Sequence, residues 1–441
     1  MFEVLKTTRI GRRLLQPAAP TLRSAIALAG LAGIASGLGM AQTAGTLDTT
    51  FGTGGTVTTN PTIIGGSPDL PFSALTSTLT AIEQSNGSIA VVIGINRSEF
   101  PNLEVFGLVR YTPDGALIGA TSASFLHGGI SSPNAAAAAS NGDIVVAGTA
   151  SAAIDGATSF AVARFKANGQ PDTTFGTGGK VLTTPAGIFP SASALLVQPN
   201  GQILVGGATI GMNRFTPGGT VLVRYNSDGS LDSAFGTSGI TEAVSAAGSP
   251  TALAQLSDGS YLALGDGIAE FSPAGVLQSK VTPGKLVAST QNASSCCAPI
   301  LFQPNGDILV AKVGSGPGSG PSADDVRTSE VQVSRFTETG AASGVSPAFG
   351  FGGNDHSLAQ AMALQSNGQI VVAGLASANG TPVGGGLGRL DSDLQLDTTF
   401  ASGGSLISDQ QISGLLIQSD GKLVAVGAID GNLVLARYLA K

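Results

Sequence analysis

Six arginines, Arg110, Arg164, Arg224, Arg335, Arg389 and Arg437, fall at one place in successive copies of a repeated segment. Six guanidiniums turned toward a common axis would make a basic ring able to hold an anion. Bonded to their own turns, or to the next copy, they would be structural. A position filled in nearly every copy of a repeat usually serves the fold, so the structural role is the expectation. Arg110 and Arg335 have no Asp at the matching downstream place, so pairing within one copy is not their whole role.

The other reactive side chains are sparse and scattered. The two histidines, His127 and His356, stand far apart in Gly-rich stretches. A zinc site wants three or four His, Cys or carboxylate ligands together, and no such spacing occurs. His127-Gly128-Gly129 has the look of an oxyanion loop, but no Gly-x-Ser-x-Gly turn accompanies it. Ser419-Asp420-Gly421-Lys422 reads Ser-x-x-Lys on a hairpin turn, where the helical geometry of that motif is unattainable. Asp324-Asp325 lies in a Gly-, Pro- and Ser-rich stretch, expected as a loop on one face. The Asn-Gly and Asp-Gly pairs lack the alternating ligands and closing Glu of a calcium loop. Cys296 and Cys297, the only cysteines, are adjacent. They are either a vicinal disulfide, a strained ring acting as a conformational lock, or two free thiols. These readings assign no catalytic, cofactor-binding or metal-binding residue.

The elements that must position these residues are repeats. Asn or Asp followed by Gly, then by an apolar run, occurs at Gly87, Gly142, Gly201, Gly259, Gly306, Gly368 and Gly421, at spacings of 47 to 62 residues. Such dipeptides suit tight hairpins because they tolerate positive φ. The runs that follow, such as Ile203-Leu204-Val205 and Ile370-Val371-Val372, are apolar at every position, as in a strand buried on both faces. Each copy then continues through an Arg-aromatic strand to a second turn, most clearly Pro171-Asp172-Thr173-Thr174-Phe175-Gly176. There Asp172 can accept backbone N–H bonds and Phe175 is the apolar anchor. Four strands per copy, repeated seven times, predict an all-β, seven-bladed β-propeller of four-stranded blades. An open stack is the alternative.

The ends of the chain decide between the two. The seventh copy stops after Leu433-Val434-Leu435-Ala436-Arg437-Tyr438, before its Asp-x-x-Phe-Gly turn. The missing turn and strand stand at the other end, in Leu47-Asp48-Thr49-Thr50-Phe51-Gly52 and the residues through Val57. The N-terminal strand is therefore expected to complete the last blade and close the ring.

Residues 1–41 read as a signal peptide, leaving a propeller domain of residues 42–441. A basic stretch runs to Arg23, an apolar run spans Ala25 to Leu38, and Gly39-Met40-Ala41 places small residues before a cleavage site at Gln42. The apolar run is short for a transmembrane helix, so no span is expected after removal. Arg12-Arg13 hints at twin-arginine export, but the flanking pattern leaves the route open. Without this segment the net charge falls from -7 to about -11. Such acidity excludes phosphate-backbone binding, hence nucleic acid.

The Asn/Asp-Gly-x-Ile-x-Val-x-x-Gly block, joined to Arg-Tyr/Phe-x-x-x-Gly-x-x-Asp-x-x-Phe-Gly-x-x-Gly, resembles the delta-60 repeat family of bacterial propeller-forming repeats. The resemblance covers nearly everything after the signal segment. It is sharpest around Asp48, Asp172, Asp232 and Asp397 and degenerate around Gly87, Gly259 and Gly306. The fourth copy departs most, with Glu270 in place of Arg and no Asp-x-x-Phe-Gly turn before Pro283. The family carries no assigned activity, so it implies a fold and no catalytic residues. Together these readings give an exported, monomeric, non-catalytic scaffold or binding module, secreted, periplasmic or on the cell surface, holding a protein or glycan through loops. The alternative is a propeller enzyme acting on glycans. A quinone-dependent dehydrogenase is weaker still: such propellers carry adjacent cysteines but lean on Trp motifs, and this chain has no Trp.

Overall fold

The computed structural model describes residues 43–63, 72–97, 100–126, 129–152, 156–186, 188–210, 219–244, 248–265, 267–281, 299–315, 329–337, 340–353, 356–378 and 381–441. The expected signal segment, His127, Cys296-Cys297 and Asp324-Asp325 lie outside them.

The protein is a seven-bladed β-propeller. Blade 1 occupies residues 72–123, blade 2 130–183, blade 3 188–244, blade 4 252–281, blade 5 300–345 and blade 6 356–408. Each is an antiparallel four-stranded sheet, lettered A to D here from the axis outward. A single parallel pair, Ser329 with His356, links the sheets of blades 5 and 6. Blade 7 takes its first three strands from residues 411–438. Its outer strand is Thr56–Thr59, antiparallel to Asn432–Tyr438 in a register running from Thr56↔Ala436 to Thr59↔Leu433.

The chain break lies inside what would otherwise be one hairpin. The Gly45 N–H donates to the Leu439 carbonyl at 2.7 Å, the Leu439 N–H to Thr46 at 2.9 Å, and the Asp48 N–H to Arg437 at 2.8 Å. Every backbone group of that hairpin needs a partner, and the two termini supply them to each other. The two ends of the chain thus meet in one sheet and complete the seventh blade.

Second strands open on unbroken apolar runs because each faces two junctions. Side chains alternate across a strand, so Val146 packs in the junction of blades 1 and 2 while Val145 packs in that of blades 2 and 3. Apolar clusters of this kind fill all seven junctions. The others join Leu204 to Tyr261, Leu262 to Ile308, Leu309 to Ile370, Val371 to Leu423, and Val424 to Ile89. Phe51, fully buried, belongs to the last of these, between blades 7 and 1. The fourth copy, expected to be irregular, keeps four strands, but they are only four or five residues long.

Candidate functional site

Antiparallel alternation puts the A–B and C–D turns of every blade on one face. The B–C connections, and the starts of the A strands, lie on the other. The six arginines stand near the ends of C strands, on the first face, and they do not line the axis.

Five of the six guanidiniums are committed twice, once within their own blade and once across the junction. Arg164 donates from Nε to Asp172 at 2.7 Å, Arg224 to Asp232 at 2.8 Å, Arg389 to Asp397 at 2.8 Å and Arg437 to Asp48 at 2.9 Å. The second oxygen of each Asp accepts a turn N–H two residues on, from Thr174, Ala234, Thr399 and Thr50. The same four guanidiniums lie 4.5–4.8 Å over the rings of Phe175, Phe235, Phe400 and Phe51, where cation–π attraction adds to apolar burial. Arg110, with no Asp, donates to Gln84 at 3.1 Å instead. Arg335 has no Asp, and although Gln303 stands where Gln84 does, neither the buried Arg335 Nε nor Gln303 Oε1 has a hydrogen-bond partner among the described residues.

The remaining donors reach across the junction. Arg110 bonds the carbonyl of Asn168, Arg164 that of Ser227, Arg224 that of Pro273, Arg335 that of Ser392, Arg389 that of Ala440 and Arg437 that of Pro113. Each acceptor lies in the C–D turn of the following blade or, for Ala440, at the matching place beyond the last C strand. The turn residue after each Phe adds a backbone bond to the same neighbour: Gly176 to Asp228, Gly236 to Ala274, Gly52 to Asp114 and Ala401 to Ala44. The anion-binding ring considered from sequence is thus replaced by inter-blade clasps. Glu270, at the matching position of blade 4, cannot donate to a carbonyl, so blade 4 offers blade 5 no such bond.

Burial raises the Asp carboxyl pKa values, but hydrogen bonds and the neighbouring cations outweigh it. Asp172, Asp232 and Asp397 sit below the usual carboxylate range. For Asp48, bonds from Thr50 and Lys422 and the charge of Arg437 overcome desolvation and hold the group at about 2. A second, neutral set of junction bonds comes from C-strand tyrosines. Tyr111 donates to Thr59 at 2.8 Å and Tyr225 to Thr183 at 2.8 Å, each on the D strand of the preceding blade.

Ser419 and Lys422 also serve closure. The Ser419 N–H donates to Glu83 of blade 1 at 2.7 Å, and Lys422 Nζ stands 3.1 Å from Asp48 and from Asp420. His356 opens the A strand of blade 6. Among the described residues no three His, Cys, Asp or Glu side chains are grouped to hold a metal.

Toward the opposite face, the first two strands of blade 2 and the first strand of blade 3 bring neutral polar groups together. The hydroxyls of Thr149 and Ser191 are 3.0 Å apart, and Asn134 Nδ2 donates to the Ala192 carbonyl at 2.7 Å. Beside Ser191 stands Phe189, 43% exposed and at a φ of 51°. Nothing in the sequence marks it: Ile188-Phe189-Pro190 reads as an ordinary strand start, and only a register shift reveals it.

A beta-propeller domain of unknown function, DUF5122, matches residues 139–175, 198–235 and 365–400. Each match runs from the A–B turn to the Phe anchor of blades 2, 3 and 6, the three blades whose clasp is complete and uninterrupted by the termini. No curated protein matches the chain. Among solved structures, a protein of unknown function from Bacteroides caccae is 14% identical and covers 78% of this chain and 98% of its own, with a TM-score of 0.41. The WD40 beta propeller domain of Doa1 is 10% identical over 85% of this chain and 98% of its own, at 0.45. A protein of unknown function from Dyadobacter fermentans is 12% identical over 88% of this chain and 100% of its own, at 0.42. Similarity at this level carries no function across.

Proposed function

We propose that this chain is an exported propeller of the delta-60 repeat type, acting as a non-catalytic scaffold or binding module for a protein or glycan at the cell surface, in the periplasm or outside the cell. The observation that carries this reading is the division of labour between the two faces. The charged side chains that recur from blade to blade, the arginines and their aspartates, are consumed in clasps on one face. The other face carries the Ser191 hydroxyl and the partly exposed ring of Phe189. A rigid ring whose repeated Arg–Asp pairs are internal suits recognition through the surface of the other face.

A glycan array combined with a pull-down, using the chain from Gln42 onward, tests the reading. Binding without turnover supports it. Turnover of a glycan or ester, abolished by changing one acidic side chain, overturns it in favour of a propeller enzyme.

A further inference from the structure

Among the described residues five non-glycine residues hold positive φ, and four are explained by the repeat or by a hairpin turn. Ser238 stands where Gly54 and Gly178 stand, Ala401 where Gly52, Gly176 and Gly236 stand, and Leu394 where Gly169 and Gly229 stand. Asp430 is the first residue of an Asp-Gly hairpin turn. Phe189 is the exception.

Its position arises from an extra residue. The A strands of blades 1, 2, 3, 6 and 7 share one register shift, which in blade 3 falls between Ala192 and Ala194. Blade 3 has a second shift, between Ile188 and Ser191, absent from blades 2, 6 and 7. Phe189 sits in that bulge. Blade 2 holds the bulge in place: Thr158 Oγ1 donates to the Pro190 carbonyl at 2.7 Å, and Ser191 bonds Thr149 at 3.0 Å. A left-handed conformation is costly for a bulky side chain. Here the residue stays 43% exposed, so only part of its surface is returned in packing.

We propose that Phe189 is a stacking platform for the apolar face of a neutral sugar ring, with the Thr149 and Ser191 hydroxyls beside it as hydrogen-bonding groups. The inference rests on the binding-module reading and names its ligand class. A rigid aromatic face offers contact area at low entropic cost, and a pyranose presents C–H groups on one side and hydroxyls at its edge. The hydroxyls of Ser191, two residues on, and of its partner Thr149 are neutral, and the chain is acidic overall, so a neutral ligand is favoured over an anionic one.

The test compares the wild type with Phe189→Gly and Phe189→Tyr, using calorimetry against soluble neutral oligosaccharides of glucan, mannan and chitin type. Glycine accepts a φ of 51° without strain, so Phe189→Gly is expected to melt no lower than the wild type. It should lose at least tenfold in affinity, while Phe189→Tyr should retain most of it. Equal affinity of Phe189→Gly and wild type overturns the inference but leaves the module reading intact. A clear drop in melting temperature for Phe189→Gly makes the residue structural and also overturns it. Absence of binding by the wild type to every oligosaccharide overturns it as well, and the module reading then stands or falls on the protein pull-down.

Discussion

Replacing Arg389 by Met tests whether the clasps hold the ring. The side chain is 4% exposed and its partner Asp397 10%. Methionine refills the space of the aliphatic stem but forfeits the 2.8 Å bond to Asp397, the 2.5 Å bond to the Ala440 carbonyl and the contact over Phe400. Breaking a buried pair by removing one partner costs about 3–5 kcal/mol. Asp397 keeps bonds from Thr399 and Gln369, which places the loss near the lower end, about 3 kcal/mol. A unit of Gln42–Lys441, unfolding with an entropy of about 2.1 cal/mol/K per residue, loses about 0.8 kcal/mol per degree. The expected drop in melting temperature is therefore about 4 °C. Urea unfolding of Arg389→Met, Asp397→Asn and the double variant should give a coupling of about 1–3 kcal/mol. A drop below about 1 °C, or single effects that simply add, would refute the clasp as a source of stability.

Phe51→Ala should cost about 3–5 kcal/mol, because the ring is fully buried where blades 7 and 1 meet; an unchanged melting temperature would show that the N-terminal segment does not close the ring. Acid should weaken the fold in a defined window. Asp48 titrates at about 2 in the folded chain against about 3.9 unfolded, so its stabilisation of about 2–3 kcal/mol is complete above pH 4 and fades as pH falls toward 2. Asp172, Asp232 and Asp397 are lowered in the same direction, and a urea midpoint that held constant from pH 5 to 2.5 would contradict this. In native-state hydrogen exchange, backbone amides of Ile268–Phe271 and Ile308–Ser315 should open at lower free energy than those of Ile144–Ser151 and Ile203–Ile210; uniform protection around the ring would count against a weak junction between blades 4 and 5.

The ring was legible because its signals are local and repeated. Asn-Gly turns, unbroken apolar runs and the Asp-x-x-Phe-Gly turn each report a backbone requirement that recurs at every blade, and the split seventh copy reported closure. The arginines were legible as structural for the same reason. Their acceptors were not: the carbonyls of Asn168, Ser227 and Ser392 belong to the next blade and leave no trace in side-chain identity. Gln84, recognisable as part of the repeated turn, gave no sign that it substitutes for the missing Asp beside Arg110. Phe189 was illegible because a bulge is a relation between two strands, and neither Ile188-Phe189-Pro190 nor Thr209-Ile210 contains it alone.

Departures from a repeat separate into two physical kinds. Glu270 removes a bond from the junction it faces, since a carboxylate has no proton to give the carbonyl of the following blade. The apolar cluster at that junction, built on Leu262, Leu264, Ile268, Ile308 and Phe336, has the fewest buried members of the seven among the described residues. Both features fall at the same junction, while arginine clasps join the blades at the other six. Phe189 is the opposite kind. It adds a residue, strains the backbone and exposes an aromatic ring, while the junctions beside it stay fully bonded through Thr158, Asn134 and Arg164. A loss at a position the ring can spare is ordinary drift in a repeat array. A gain of this kind is not explained by the repeat, and the proposed ligand-binding role of Phe189 rests on that.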